Sequence, residues 1–353
     1  MNRFFPETIL VLLSWTCAPN LWAESPDIEE ARRHGAQGQM TLRVVDSTGK
    51  PVADAKLSLA YWDVDSSAGA VVSEGQTDTN GLCVTQGNTV GDMNFTVTKE
   101  GFYGTAGKYW FYRPSGLDSS KRSAISPTSG EYWLYNRSEN GTKDGRWQPW
   151  NPTNTIVLKE YRNPIAMFAM NIDAPIPVWD APIGFDLEVG DWLAPYGAGR
   201  QPDLYMTYKA KIQDYWNGSL EFGIACTNQG DGFVRLQKDM ESDLRSAYEA
   251  PCSGYLPEIQ FAFVTTTDKD ILDNKLGDAD YLAFRVRTRL DDKGDIVTAR
   301  YGKIYGPIEF GVGKDHHIRF CYYLNPTDKD RNLEFDPSRN LLANSDRMRV
   351  NAP

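Results

Sequence analysis

The chain has 353 residues, 41% hydrophobic and 24% charged, which is enough for two domains with cores of their own. Its 47 acidic against 37 basic residues leave a net charge of −10, which argues against a nucleic-acid partner, because such a partner is met by a basic stripe. Three histidines (His34, His316, His317) and cysteines without ligand spacing exclude a zinc cluster.

Residues 1–23 have the pattern of a secretory signal peptide. Arg3 supplies the positive end, Ile9 to Leu13 begin an apolar run, and Leu21-Trp22-Ala23 precede a cleavage point at Glu24. Cys17 follows Ser14-Trp15-Thr16, a poor match to a lipoprotein box, so a lipid anchor is the weaker reading. No later stretch approaches the ~20 apolar residues that span a bilayer. The mature chain is therefore expected outside the cell or in the periplasm, with no membrane span. Export permits disulfides. Cys226 and Cys252 are the closest pair in sequence and flank a polar excursion, so they form the expected bridge; Cys83 and Cys321 sit in apolar runs as buried thiols.

Residues 24–39 form a charged lead-in; Ile28 to Arg33 suit a helical turn, and the segment is assigned as a linker. From Met40 the pattern is β. Leu42 and Val44 alternate with Thr41, Arg43 and Val45, and Asp46 to Pro51 supply a tight turn. Val52, Ala55, Leu57 and Leu59 resume a strand. Asp78-Thr79-Asn80-Gly81 turns again before Leu82-Cys83-Val84, and Phe95 to Thr98 lead to a glycine corner at Lys99 to Tyr103. A strand ending D-x-x-G-x-P-V-x-x-A, then T-D-x-N-G and V-x-K-x-G-F, resembles the carboxypeptidase regulatory-like domain, a prealbumin-type β-sandwich. The resemblance covers residues 40 to about 105 and implies an appended, non-catalytic module; it brings no site with it.

Between 104 and 154 the alternation stops. Tyr109 to Tyr112, Tyr132 to Tyr135 and Trp147 to Trp150 are separated by Ser, Gly, Asn, Lys and Asp, and Thr155 to Lys159 then close the sandwich, giving a first domain of 40–161. A loop this long inside a compact domain tends to be functional. Trp110, Tyr112, Trp133, Tyr135, Trp147 and Trp150 are the candidate ligand-binding residues: aromatic faces stack on sugar rings while neighbouring polar groups bond the hydroxyls. The competing reading packs these rings over the sandwich edge as a satellite core.

A second domain, 164–353, follows the Tyr161 to Ile165 boundary. Strands are predicted over Gly184 to Trp192, Leu204 to Tyr215, Leu220 to Ala225, Glu258 to Thr265, Tyr281 to Arg289 and His317 to Tyr323. Asp291 to Gly294 form a hairpin turn, and a single short helix is predicted at Lys238 to Leu244. Arg285, Arg287 and Arg289 alternate and are assigned to one solvated strand face. Phrases such as P-x-G-F-D-L-E-x-G-D-W-x-A-P-Y-G and A-R-Y-G-K-I-Y-G-P are similar to those of secreted bacterial proteins that share this two-part layout. The fold class is all-β: a prealbumin-like or Ig-like sandwich followed by a second, larger sandwich.

Other chemistry is weakly signalled. Asp186, Glu188, Asp191 and Glu221 are carboxylates from which a polysaccharide-active enzyme could draw an acid pair. G-x-S-x-G and H-E-x-x-H are absent. Ca²⁺ is the one ion for which ligand pairs occur, at Asp63 and Asp65, Asp268 and Asp270, Asp278 and Asp280, and Asp328 and Asp330; no series completes a full loop, and turn capping explains them. Gly302, Gly306, Gly311 and Gly313 precede no helix and mark strand irregularities. The expectation is a binding protein with no catalytic residues and no bound cofactor, whose partner is a glycan. The alternatives are a structural protein partnered by other envelope proteins, and the polysaccharide-active enzyme.

Overall fold

The computed structural model describes residues 26–62, 69–112, 123–125, 131–135, 141–213, 217–226, 228–265, 270–273, 276–277, 279–310, 317–342 and 349–353. The signal-peptide reading lies outside the described residues, as do Asp63, Asp65, Asp268, Asp278, Gly311, Gly313 and His316.

The alternation from residue 40 onward builds the centre of the first sheet. Strand Ala36–Asp46 pairs antiparallel with Leu82–Thr89 on one side and parallel with Thr153–Leu158 on the other, and the short strands Arg146–Trp147 and Thr142–Lys143 extend it. Met40, Leu42 and Val44 point inward and are sealed, while Arg43 is exposed. The second sheet runs in the order Ala70–Gln76, Lys56–Trp62, Asp92–Thr98, Thr105–Trp110, Tyr132–Tyr135, Ser123–Ile125. Leu57, Leu59, Met93, Phe95 and Val97 meet the first sheet in one core. Both predicted turns close through an aspartate: Asp46 Oδ1 accepts from the Thr48 and Lys50 backbones, and Asp78 Oδ1 accepts from Asn80 and Leu82. Gly81, at φ 72°, is required twice over, since a Cβ there would lie 2.4 Å from the Val44 carbonyl oxygen.

The linker assignment for 24–39 is corrected. Pro26–His34 is an α-helix and the first strand already begins at Ala36. Asp27 and Glu29 in its first turn and Arg32, Arg33 and His34 in its last complement the helix dipole, and Ala31 packs into the first core.

The second half is a larger sandwich. A third sheet runs Phe168–Pro175, His317–Leu324, Ile296–Phe310, Asp280–Leu290, Gly232–Gln237; a fourth runs Asp191–Trp192, Ile183–Asp186, Leu204–Ile212, Gly218–Ala225, Glu258–Thr265, Asp270–Asp273. Every pairing in both is antiparallel. Phe185, Leu220, Phe222, Phe284, Ile304 and Tyr322 fill the space between them. The expected Cys226–Cys252 disulfide is not formed. Cys226 packs against this core and Cys252 is exposed in an irregular segment, both as free thiols.

The outer face of the third sheet is also covered. Ala283, Tyr301, Tyr305 and Tyr323 lie beneath the irregular segments 238–256, 325–342 and 349–353. This double cover explains the nearly unbroken burial along Asp280–Leu290. Lys303 is caught on that face, fully buried. Its Nζ donates to Ser246 Oγ at 3.1 Å and lies 4.8 and 4.6 Å from the ring centres of Tyr305 and Tyr323.

The helix predicted at Lys238 to Leu244 is absent. Asp239 Oδ1 accepts from the Glu241 backbone, the Asp239 N–H bonds the Arg245 carbonyl, and Met240 reaches into the first core. A short polar side chain that bonds its own backbone competes with helical hydrogen bonds. The segment instead joins the two halves. Lys159 Nζ donates to the carbonyls of Leu244 (2.9 Å) and Ser246 (3.2 Å) and pairs with Asp239 at 2.9 Å. Tyr132 donates to Glu241 at 2.6 Å, and the Asp243 N–H bonds the Gly104 carbonyl at 2.8 Å.

Burial pushes the Lys303 ammonium down to about 7. Its folded pKa therefore lies below its unfolded value, so the unfolded chain binds the extra proton between pH 7 and 10 and stability rises with pH across that window. Lys303→Met should remove one proton's worth of slope, about 1.4 kcal/mol per pH unit. Urea unfolding of both proteins from pH 7 to 9 measures the difference; parallel curves would show that Lys303 carries no such penalty.

Candidate functional site

The structure brings four of the six aromatic candidates together at the edge of the first sandwich. Trp110 meets Tyr112 and Trp133 edge-on, with ring centres 5.7 and 5.6 Å apart, and Tyr112 stacks on Trp147 at 5.6 Å. Trp150 stands apart under the Arg146 guanidinium at 4.9 Å. Two candidates cannot present a face to a ligand: Trp147 is 0% exposed, with Nε1 donating to the Thr89 carbonyl, and Tyr135 is buried. The interplanar angles of 75° and 72° set each ring's edge against its neighbour's face, so Trp110, Tyr112 and Trp133 make no flat platform. Lys108 and Arg32 lie over two of those rings. The cluster has the geometry of a satellite core.

A different site forms at one end of the second sandwich, where sequence reading placed only a solvated arginine face. The alternation Arg285-Arg287-Arg289 is broken by a β-bulge between Val286 and Arg289, and Arg287 takes φ 56°. Bulges re-aim side chains, and this one turns Arg287 towards the loops of the fourth sheet. Arg287 Nε and an amino group meet Asp203 at 2.6 and 2.9 Å, and its other contacts are Glu188 at 2.8 Å and Asp186 at 3.4 Å. Burial opposes the charge on Arg287, and Asp203 and Asp186 outweigh it, raising its pKa. Asp186 also organises the loop: its oxygens accept from the backbones of Glu188, Val189, Arg200 and Gln201. Arg300 pairs with Glu188 from the neighbouring strand.

Above this network opens a cleft of about 510 Å³, lined by Gln201, Asn228, Thr288, Arg289, Thr298 and Asp328 besides Arg287 and Arg300. Thr288 is only 5% exposed. Its N–H donates to Asp231 at 2.8 Å. Arg289 is exposed and, among the described residues, spends only Nε, on Thr298 Oγ1 at 3.0 Å. Asp328 uses one oxygen on the Ala299 N–H. Burial pushes the Asp231 carboxyl up, opposed by its hydrogen bonds to Thr288 and Asn228. The cleft thus mixes donors and acceptors, and its deepest charges are already paired.

The remaining candidates have structural roles. Asp186 and Glu188 are held by arginine; Asp191 accepts from the Trp192 and Ala198 backbones; Glu221 is exposed on a strand opposite Lys209. Asp330 bonds Asn325 and Asn332, and Asp280 pairs with Arg235. No group of three or more potential metal ligands occurs among the described residues. His317 contacts Asp173 at 2.7 Å. Gly302 marks a close approach, since a Cβ there would lie 2.2 Å from the Tyr323 carbonyl oxygen.

No family model and no curated protein matches the chain. The likeness of residues 40–105 to the carboxypeptidase regulatory-like domain therefore rests on its motifs and on the two-sheet architecture. Similar solved structures include a DUF3823 family protein from Parabacteroides merdae (8% identity, 80% of this chain and 96% of that one, TM-score 0.17) and the major pilin subunit of Bacillus cereus (12%, 80% and 95%, TM-score 0.22). Another is 3-chlorocatechol 1,2-dioxygenase from Rhodococcus opacus (12%, TM-score 0.24); the match takes in 36% of this chain and 61% of the dioxygenase. Scores this low carry no argument about activity. No helix among the described residues is long and apolar enough to cross a membrane.

If the aromatic cluster is core, Trp147→Ala should lower the unfolding free energy by about 3–5 kcal/mol. Chemical denaturation monitored by fluorescence checks this; a stable variant with altered ligand binding would return Trp147 to the list of binding residues.

Proposed function

We propose that the protein is an exported, non-catalytic carbohydrate-binding protein whose ligand occupies the arginine–threonine cleft. The observation that carries this reading is the 510 Å³ cleft itself, where the exposed Arg289 guanidinium has only Nε bonded among the described residues and the exposed Asp328 carboxylate has one oxygen in use. Ligand pockets commonly span 300–1,000 Å³ with a few convergent polar groups. The interleaved charges of Arg287, Arg300, Asp186, Asp203 and Glu188 compensate one another, which favours a neutral polyhydroxyl ligand over a polyanion. The export part of the proposal rests on the pattern of residues 1–23.

Arg289→Ala separates this reading from a structural role. Arg289 is exposed, and surface substitutions usually change stability by no more than about 0.5 kcal/mol. The variant should therefore melt no lower than the parent while losing affinity for a neutral oligosaccharide found on a glycan array, by about tenfold, or roughly 1.4 kcal/mol. Asp328→Asn, which keeps the acceptor for the Ala299 N–H, should do the same. No binding across the array, or full affinity in both variants, would sink the proposal.

One observation favours the alternative of an assembly protein. Strand Ala70–Gln76 ends its sheet, pairs only with Lys56–Trp62 among the described residues, and exposes Val71 (49%) and Val72 (62%) with neither proline nor lysine to guard the edge. On this reading light scattering shows concentration-dependent association that Val72→Lys abolishes; a monomer at all concentrations removes it.

A further inference from the structure

We propose that the cavity between the two halves is a second binding site, for an organic ammonium ion carrying alkyl groups. It goes beyond the carbohydrate reading and shares no residue with that cleft. The cavity holds about 410 Å³ and draws its walls from five separate parts of the chain. Tyr103 comes from the first half, Tyr161 and Pro164 from the connection, Asp243 from the irregular segment that bridges the halves, Phe335, Asp336 and Pro337 from the segment after the last strand, and Asn351 and Pro353 from residues 349–353. Boundaries between domains are favoured places for small-molecule sites.

The lining decides the sign and the chemistry of the occupant. Its nine residues include three aromatic rings, three prolines and two aspartates, and no lysine, arginine or histidine. Tyr103 and Tyr161 meet edge to face, 4.5 Å between centres at 75°, so they form a corner rather than a closed stack. Tyr161 is 50% exposed and keeps ring surface for a ligand. The negative faces of aromatic rings attract cations, most strongly where water is excluded.

The aspartates are not equivalent. Asp336 is committed to Ser338 and, at 2.6 Å, to Arg339. Asp243 has no ion pair among the described residues. Burial pushes its carboxyl up, opposed by the Arg245 charge and by a hydrogen bond with the Gly104 backbone. The Tyr161 phenol is raised by burial and then by the Asp243 and Asp336 carboxylates, so both acids act electrostatically on the ring that walls the cavity. A hard metal ion would need several more oxygen ligands than Asp243 can supply. An alkylated ammonium needs one carboxylate, aromatic faces and C–H-rich walls, and these are what the cavity provides.

The test uses the full mature chain and two probes of the same shape: choline, and its neutral isostere 3,3-dimethylbutan-1-ol. Isothermal titration calorimetry, with sodium chloride matched throughout, should show choline binding at least tenfold more tightly than the neutral alcohol. Tyr161→Ala and Asp243→Asn should each weaken choline binding about tenfold, while Tyr161→Phe retains it. Arg289→Ala should leave choline binding unchanged, which keeps this site's failure distinct from the failure of the carbohydrate cleft. Melting curves accompany each variant; if Tyr161→Ala unfolds, Asp243→Asn and Tyr161→Phe still decide. Equal affinity for the two probes, no saturable choline binding, or full affinity in Asp243→Asn overturns the proposal.

Discussion

The arrangement of the two halves depends on one buried carboxylate. Glu334 is 2% exposed and accepts three hydrogen bonds, from the Tyr103 hydroxyl at 2.9 Å and from the backbone N–H groups of Arg162 and Asn163 at 3.0 and 3.1 Å. A charge taken out of water is tolerable only when its lone pairs are met in this way. The donors belong to the first sandwich and to the connection, while Glu334 belongs to the segment beyond the last strand. One side chain thereby ties together three parts of the chain that are remote in sequence. Its own backbone is fixed as well: its N–H bonds Asn332 Oδ1, and its carbonyl accepts from Ile165.

Several features follow from that tie. The segment carrying Glu334 lies on the outer face of the third sheet, which seals Tyr323 and Phe335 there. With the bridging segment 238–256 above it, the same cover leaves Lys303 without water, held by Ser246 and two tyrosine rings. Sheets usually keep charged side chains on a solvated face; here a second layer of irregular chain has replaced the solvent. The seam between the halves also creates the inter-domain cavity, because Tyr103 and Phe335 are both brought to the lining of one space.

At the far end of the second sandwich the same principle works through Arg287. Its contacts with Asp186 and Asp203 span 101 and 84 residues and join two sheets that otherwise meet through apolar side chains. A bulge and a left-handed backbone at a non-glycine residue are local costs, and residues in such conformations cluster at functional positions. The network holds its charges in place while Arg289, in the cleft wall, is left with hydrogen-bonding capacity. Neither Arg287 nor Thr288 carried a local cue: R-V-R-T-R alternates as an ordinary exposed strand would, and nothing nearby in sequence marks its partners.

The chain's own order of residues determined the all-β class, the strands of both halves and the turns at Asp46 and Asp78, because each rests on period-two alternation or on a side chain bonding its own neighbours. It also named the aromatic residues of 104–154, without saying which way they face. Tertiary structure decided the rest. Trp147 became core, since only the folded sheet supplies Thr89 and Tyr112 to receive it. The segment 238–244 gave up its helix for contacts with Lys159 and Gly104, while Pro26–His34 became helical and placed Ala31 in the first core. Both candidate sites draw on residues tens to hundreds of positions apart, and a carboxylate finds its arginine only after sheets have stacked. Alternation along a strand is a local property; juxtaposition is a property of the whole fold.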